Sequence, residues 1–243
     1  MLLSVIIPAF NEEKVLGKTL DRIRSALEAN GDLDFTWEII VCDNNSDDRT
    51  AEFARERGAV VVSEPENQIS KARNAGANKA QGEWFLFIDA DSYPLPALIR
   101  ETIQLTEAVD VIGCSSTIKV VGGPLWYRFR LESHNMEMRL FKSCVGVYLL
   151  CEADAFRSIG GFSSELFALE ELEFAKRLKA YGRKGDRRFK VLHRHPVITS
   201  GRKGALHSKR TIAKSVCLAL WSLISRRPIK SKNSLPYWYE NKR

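Results

Sequence analysis

The chain has 243 residues, 44% hydrophobic and 28% charged, which is enough apolar material for one large α/β domain or two small ones and too much for a disordered chain. Its formal charge of +7 hides a division: residues 187–239 carry thirteen Lys or Arg and no acid, whereas residues 1–186 hold 22 basic and 29 acidic residues. No run reaches the ~18 apolar residues of a spanning helix, and five scattered cysteines without a Cys-x-x-Cys pair argue against a disulfide framework or zinc site and for reduced thiols in a cytosolic protein.

Met1 leads directly into Leu2-Leu3-Ser4-Val5-Ile6-Ile7, without the basic start and small-residue cleavage site of a secretory signal. That apolar run predicts a first strand ending at Pro8, and Val15, Leu16, Leu20, Ile23 and Leu27 at helical spacing predict the helix that follows. The pattern repeats with a strand over 37–42, the polar turn Asp43-Asn44-Asn45-Ser46-Asp47-Asp48 and a helix over 49–57 stopped by Gly58. A third strand over 59–63 and a third helix over 70–80, ended by Gly82, lead to Trp84-Phe85-Leu86-Phe87-Ile88. Five apolar residues without alternation mark a strand buried on both faces, and it emerges into Asp89-Ala90-Asp91. If the extended geometry continues, Asp89 and Asp91 point to one side, ~6–7 Å apart, a spacing that suits a divalent cation shared with a substrate phosphate. An acidic strand end before the turn former Pro94 is the plain alternative.

Strands alternating with helices predict a mostly parallel, Rossmann-like sheet flanked by helices, and ligands of such sheets bind beyond the carboxyl ends of the strands. Three polar loops, Pro8-Ala9-Phe10-Asn11-Glu12, Asp43-Asn44 and Asp89-Ala90-Asp91, would converge on that crevice. Neither a Gly-x-Gly-x-x-Gly after the first strand nor a P-loop is present, so a bound nucleotide needs other charge for its phosphates. A metal on Asp91, aided by Arg73 or Lys71, would serve; a solvated helix face accounts equally well for those two cations.

These segments, together with Ile39 to Thr50, Ala72-Arg73-Asn74-Ala75-Gly76 and Phe87 to Asp91, resemble the family 2 glycosyltransferases of GT-A fold. The resemblance extends over residues 3–182 and implies a nucleotide-diphosphate sugar donor, usually a UDP-sugar, held by a divalent metal, Mg2+ or Mn2+, on Asp91 with Asp89. It implies that Asp43 contacts the base, that Pro8, Ala9, Phe10, Asn11 and Glu12 line the nucleoside, that Arg73 lies near the base and diphosphate, and that Ala90 borders the donor. Many members have two aspartates where this chain has Asp43-Asn44, which leaves the base preference open.

Further on, a surface helix is expected over 95–106, a pair of short extended runs over 110–121, a helix over 125–140 after Gly122-Gly123-Pro124, and an apolar strand over 145–150. Ile159-Gly160-Gly161-Phe162 resembles the family's acceptor loop. In the helix over 169–182, Glu171 falls within the apolar sector formed by Phe174, Ala175, Leu178 and Tyr181, where burial would raise its pKa and make it a useful proton acceptor; a favourable acid at a helix N-terminus is the alternative. Inverting members carry Glu-Asp here with the second acid as base, so the resemblance makes Glu171 the candidate base with Glu170 in reserve. Glu173 and Arg177 form an i,i+4 pair at the edge.

The resemblance thus divides the chain into a transferase domain over 1–200 and a basic, amphipathic helical extension over 201–243. His193 and His195 can complete a metal or diphosphate site or be structural, and Gly201-Arg202-Lys203-Gly204 suits phosphate contact. Between 211 and 225, Thr211, Lys214, Ser215, Ser222 and Ser225 form a narrow polar side, and the wide apolar face, with Arg226, Arg227 and Lys230 after it, can lie in a membrane interface, pack on the domain or meet another copy. The expected partners are a nucleotide-sugar donor, an acceptor hydroxyl, lipid-linked or on a cell-envelope glycan, and an anionic membrane surface on its cytoplasmic face. The processive signature Gln-x-x-Arg-Trp is absent, so single-sugar transfer is expected. A nucleotidyltransferase using the same acidic pair, or a nucleic-acid binder using the tail, are the competing readings; no nucleic-acid partner is expected.

Overall fold

A computed structural model describes residues 1–141, 144, 146–225, 229, 234 and 235. Its first half follows the expected alternation: β1 (Leu2–Ala9), α1 (Leu16–Glu28), β2 (Thr36–Asp43), α2 (Thr50–Glu56), β3 (Val60–Ser63), α3 (Ile69–Lys79) and β4 (Trp84–Ile88). β1 pairs in parallel with β2 and β4, and β2 with β3. The ends of β1, β2 and β4 therefore open on the same edge. β4 is buried at every position because helices cover both faces.

The second half contains β5 (Ser92–Tyr93), α4 (Pro96–Thr106), β6 (Val111–Val121), α5 (Leu125–Phe141), β7 (Tyr148–Glu152), α6 (Ala153–Ser158), α7 (Glu170–Arg183), β8 (Arg188–Ser200), α8 (Arg202–Leu206) and α9 (Lys209–Ser225). All eight strands form one sheet of order β3-β2-β1-β4-β7-β6-β8-β5. It is more mixed than the alternation suggested, because β7 lies antiparallel to both β4 and β6, and β5 antiparallel to β8. The two short runs expected over 110–121 are one strand, with register shifts against β8 taking up the irregularity.

One core packs α1 and α4 against one face of the sheet, and the other packs α3, α6 and α7 against the opposite face, where Phe85, Phe87, Phe156, Phe162 and Phe174 form an aromatic cluster. One side of α9 packs on the domain, with Ile212 and Ser215 buried and Leu218 joining Ala168 and Leu235 in a small cluster, while Lys214, Cys217 and Trp221 are exposed. Of the narrow polar side, Ser215 is buried while Lys214 is exposed. Arg226, Arg227, Pro228 and Lys230 lie outside the described residues.

Candidate active site

The loop after β1 and the turn after β2 are joined by local polar chemistry. Asn11 adopts a left-handed φ of 53°, which Asn tolerates better than most residues. Its backbone N–H donates to Ser46 Oγ at 2.9 Å, and its Oδ1 accepts from the Asp47 N–H at 2.8 Å. Thr50 Oγ1 accepts from the Glu12 N–H at 2.8 Å, and Asp48 from the Glu13 N–H at 3.2 Å. Pro8 and Ala9 are buried in β1, Phe10 stands at its partly exposed end, and Asp43 is partly exposed at the end of β2, where its carboxylate accepts from the Ser46 N–H. Asn44 is buried, accepts from the Gln68 N–H at 3.1 Å and so ties this turn to the start of α3.

The two aspartates do not continue β4 as an extended pair. The chain turns after Ile88, with the Ser92 N–H donating to the Asp89 carbonyl at 3.0 Å. Each carboxylate acquires its own cation: Arg73 Nη2 donates to Asp89 Oδ1 and Arg202 Nε to Asp91 Oδ2, both at 3.3 Å. Buried Ala90 separates them. Arg202 also donates to Glu12 Oε1 at 2.5 Å, and Glu12 is itself buried. The start of α8 therefore clamps the loop after β1 to the acidic turn. Burial disfavours the Arg202 charge, but Glu12 and Asp91 more than offset this and raise its pKa.

Arg73 is 2% exposed. Its Nη1 donates to Glu170 Oε1 at 2.5 Å and its Nη2 to the Gly146 carbonyl at 3.2 Å. A Cβ at Gly146 would collide with this guanidinium, so glycine is what allows the approach. Lys71, the other cation considered on α3, pairs instead with Glu66 outside the cavity.

The roles of the two glutamates separate at the start of α7. Glu170 is the deeper side chain and is neutralised by Arg73, whereas Glu171, expected within the apolar sector, is partly exposed and lines the cavity. Burial first, and the neighbouring Glu170 charge second, push the Glu171 carboxyl up to about 8 against the opposing effect of Arg73. Leu169 immediately before them has φ 58°, a strained conformation for a branched residue. The Glu173–Arg177 pair forms at 2.7 Å, yet Arg177 does more than decorate the edge: it also donates to the Ile159 carbonyl at 2.5 Å and the Gly161 carbonyl at 2.7 Å. With Asn74, which exchanges two hydrogen bonds with the Phe162 backbone, it holds the Gly160-Gly161-Phe162 loop beside the site.

Asp89, Asp91, Arg73, Glu170 and Glu171 line one cavity of about 220 Å³. Sequence reasoning did not single out Tyr127, Arg130 and His134 of α5 or Ile212 and Val216 of α9, which form its other walls; a helix wheel identifies their faces but not what lies opposite. His193 lines a neighbouring cavity and His195 is exposed on β8. Among the described residues, no group of three or more His, Cys, Asp or Glu side chains could hold a metal ion. One or two carboxylates completed by phosphate oxygens and water is, however, the usual arrangement for a small divalent cation, and the Arg202 guanidinium at Asp91 shows that this carboxylate accommodates positive charge.

A helix-flanked, partly parallel sheet with an acidic turn beyond β4 and paired glutamates lining the same cavity has the architecture of the GT-A fold. The model of glycosyl transferase family 2 matches residues 4–162, and the chain belongs to that family. A glycosyltransferase of uncharacterised function from Haemophilus influenzae is 24% identical over 187 residues, covering 73% of this chain and 62% of its own length; the chain spans less than half of several other curated relatives. Among solved structures, the mannosyltransferase PcManGT from Pyrobaculum calidifontis, in complex with GDP-Man and Mn2+, superposes with a TM-score of 0.66 at 16% identity, covering 97% of this chain and 67% of that one. Glucosyl-3-phosphoglycerate synthase from Mycobacterium tuberculosis, with Mn2+, UDP and phosphoglyceric acid, gives 0.63 at 19% identity and covers 94% and 79%. These two likenesses establish the fold. Membership of this family favours the glycosyltransferase expectation over the nucleotidyltransferase one.

Proposed function

We infer that the protein transfers one sugar, with inversion, from a nucleotide-diphosphate sugar, with UDP as the nucleotide, to an acceptor hydroxyl. The observation that carries this reading is the single cavity in which Glu171, with its raised pKa, faces the acidic turn. Pro8, Ala9, Phe10, Asn11, Glu12 and Asp43 would receive the nucleoside where the β1 and β2 loops are hydrogen-bonded together. Asp91, with Asp89, would hold Mg2+ or Mn2+, which supplies charge neutralisation for the leaving diphosphate. Arg202, released from Asp91 and Glu12, adds a guanidinium suited to the same oxygens.

Glu171 takes the proton of the acceptor hydroxyl as that oxygen attacks the anomeric carbon on the side opposite the diphosphate. The carbon–oxygen bond to the diphosphate breaks as the new glycosidic bond forms, so a single displacement inverts the configuration. Glu170, neutralised by Arg73, positions Arg73 beneath the cavity and is not the base. Residues 1–200 serve as the transferase domain and 201–243 as an extension that reaches back through Arg202. No helix among the described residues is long and apolar enough to cross a membrane; peripheral contact with the cytoplasmic face and a lipid-linked acceptor belong to the same proposal, supported by the basic tail.

Calorimetric titration of UDP, with GDP and TDP as controls, with and without Mn2+, tests this reading on the parent protein and on Asp91→Asn. Metal-dependent UDP binding that the substitution abolishes is expected. A folded protein that binds no nucleoside diphosphate under any of these conditions would refute the reading.

A further inference from the structure

Helix α5 is turned inside out. Tyr127, Asn135 and Met138 mark its buried sector. The opposite side, where an amphipathic helix normally carries its charges, instead presents Leu125, Phe129, Met136 and Leu140, all between 64% and 72% exposed. At 100° per residue these four fall within a 60° stripe. One flank of the stripe carries Arg128, Arg139 and Glu132 and overlooks a cavity of about 470 Å³ that Lys119 and His193 also line. Exposed Arg194 and His195 continue that cationic margin along β8. The other flank carries Glu137 and Arg130, and Arg130 lines the catalytic cavity.

We propose that the outward face of α5 docks the protein on a bilayer containing anionic lipid. An apolar stripe bordered by cations is what an interfacial helix presents, with its apolar side entering the acyl boundary and its cations meeting the headgroups. The charge on the cavity flank selects this occupant: Lys119, Arg128, Arg139 and Arg194 outnumber Glu132, so an isologous contact with a second copy would set like charges against each other, whereas anionic headgroups complement them. In helix α9, the earlier candidate, Ile212 and Leu218 pack on the domain while Trp221 is 52% exposed. Docking through α5 would set the mouth of the catalytic cavity, whose wall this helix also forms, beside the lipid surface. The inference gives a surface to the membrane contact proposed above, but lipid binding requires neither donor nor turnover.

The test is co-sedimentation of the full chain with vesicles of phosphatidylcholine alone and of phosphatidylcholine mixed with phosphatidylglycerol. The parent is expected to bind the anionic vesicles, less so at high salt, and to bind the neutral ones poorly. Phe129→Glu combined with Met136→Glu should weaken anionic-vesicle binding about tenfold or more, and Arg128→Gln with Arg139→Gln should weaken it while leaving the apolar stripe intact. Both pairs are exposed, and circular dichroism with thermal melting confirms the fold independently of nucleotide binding. Three results would each overturn the proposal: no binding of the parent to anionic vesicles, equal binding by the parent and the Phe129/Met136 variant, or conversion of a dimer to a monomer by that variant with vesicle binding unchanged. If nucleotide titration fails while vesicle binding behaves as expected, the transferase reading falls and the docking surface stands.

Discussion

Replacing Glu171 with Gln should abolish most of the activity and at the same time stabilise the protein in alkali. The carboxyl titrates at about 8 in the folded protein against an ordinary 4.5, so the folded state holds this proton more tightly than the unfolded chain. Its contribution to stability is therefore complete below pH 4.5, declines between 4.5 and about 8, and is lost above that. The full difference corresponds to ~5 kcal/mol, and because the side chain faces the cavity and is only partly buried, ~3 kcal/mol is the working expectation after solvent screening. Glutamine has the same shape and no proton to lose. Urea unfolding of parent and variant should thus nearly coincide at pH 4, with the variant more stable by ~3 kcal/mol at pH 9. Turnover should fall by ~10²–10⁴ if Glu171 is the general base, and parent kcat/KM should rise with pH toward about 8, where the carboxylate forms. A stability difference that does not change with pH would show that the Glu171 carboxyl is not perturbed, and a variant that keeps near-parent turnover would show that it is not the base.

The neighbouring substitution should act with the opposite sign. Glu170→Gln removes the closer of the two carboxylates on buried Arg73 and leaves only Asp89 at 3.3 Å, so urea unfolding at pH 7 should show a loss of ~2–3 kcal/mol; a neutral or stabilising result would mean that the Arg73–Glu170 pair does not hold this part of the site. Arg202→Ala frees both Glu12 and Asp91 of their shared cation. Its melting temperature should fall in metal-free buffer and rise more on addition of Mn2+ than that of the parent, since Asp91 no longer shares its charge with a guanidinium that a divalent ion must displace. An equal Mn2+ response in the two proteins would place the metal elsewhere.

Much of this protein is determined by short-range sequence. The apolar runs of β1, β2 and β4 and the polar turns after them follow from strand burial and turn chemistry, and parallel crossovers then bring the ends of those strands to one edge, so the Pro8 to Glu12 loop, Asp43 and the Asp89 to Asp91 turn could be assembled on paper. The left-handed Asn11 and the glycines around Phe162 are signals of the same local kind. The order β4-β7-β6-β8 was not legible, because a strand's partner and direction depend on burial that no single segment records. The partners of the charges were hidden for the same reason. Spacing showed that Glu170 and Glu171 adjoin and that Arg73 lies on a helix, but only packing brings Arg73 against Glu170, 97 residues further along, and Arg202 against Glu12, 190 residues back. The outward apolar stripe of α5 is likewise invisible to periodicity, which reports that a helix has an apolar side and cannot say which side the rest of the molecule covers. Local patterns determined the elements and the acidic edge; tertiary structure decided which charges are neutralised, which glutamate keeps a raised pKa, and which apolar face remains uncovered.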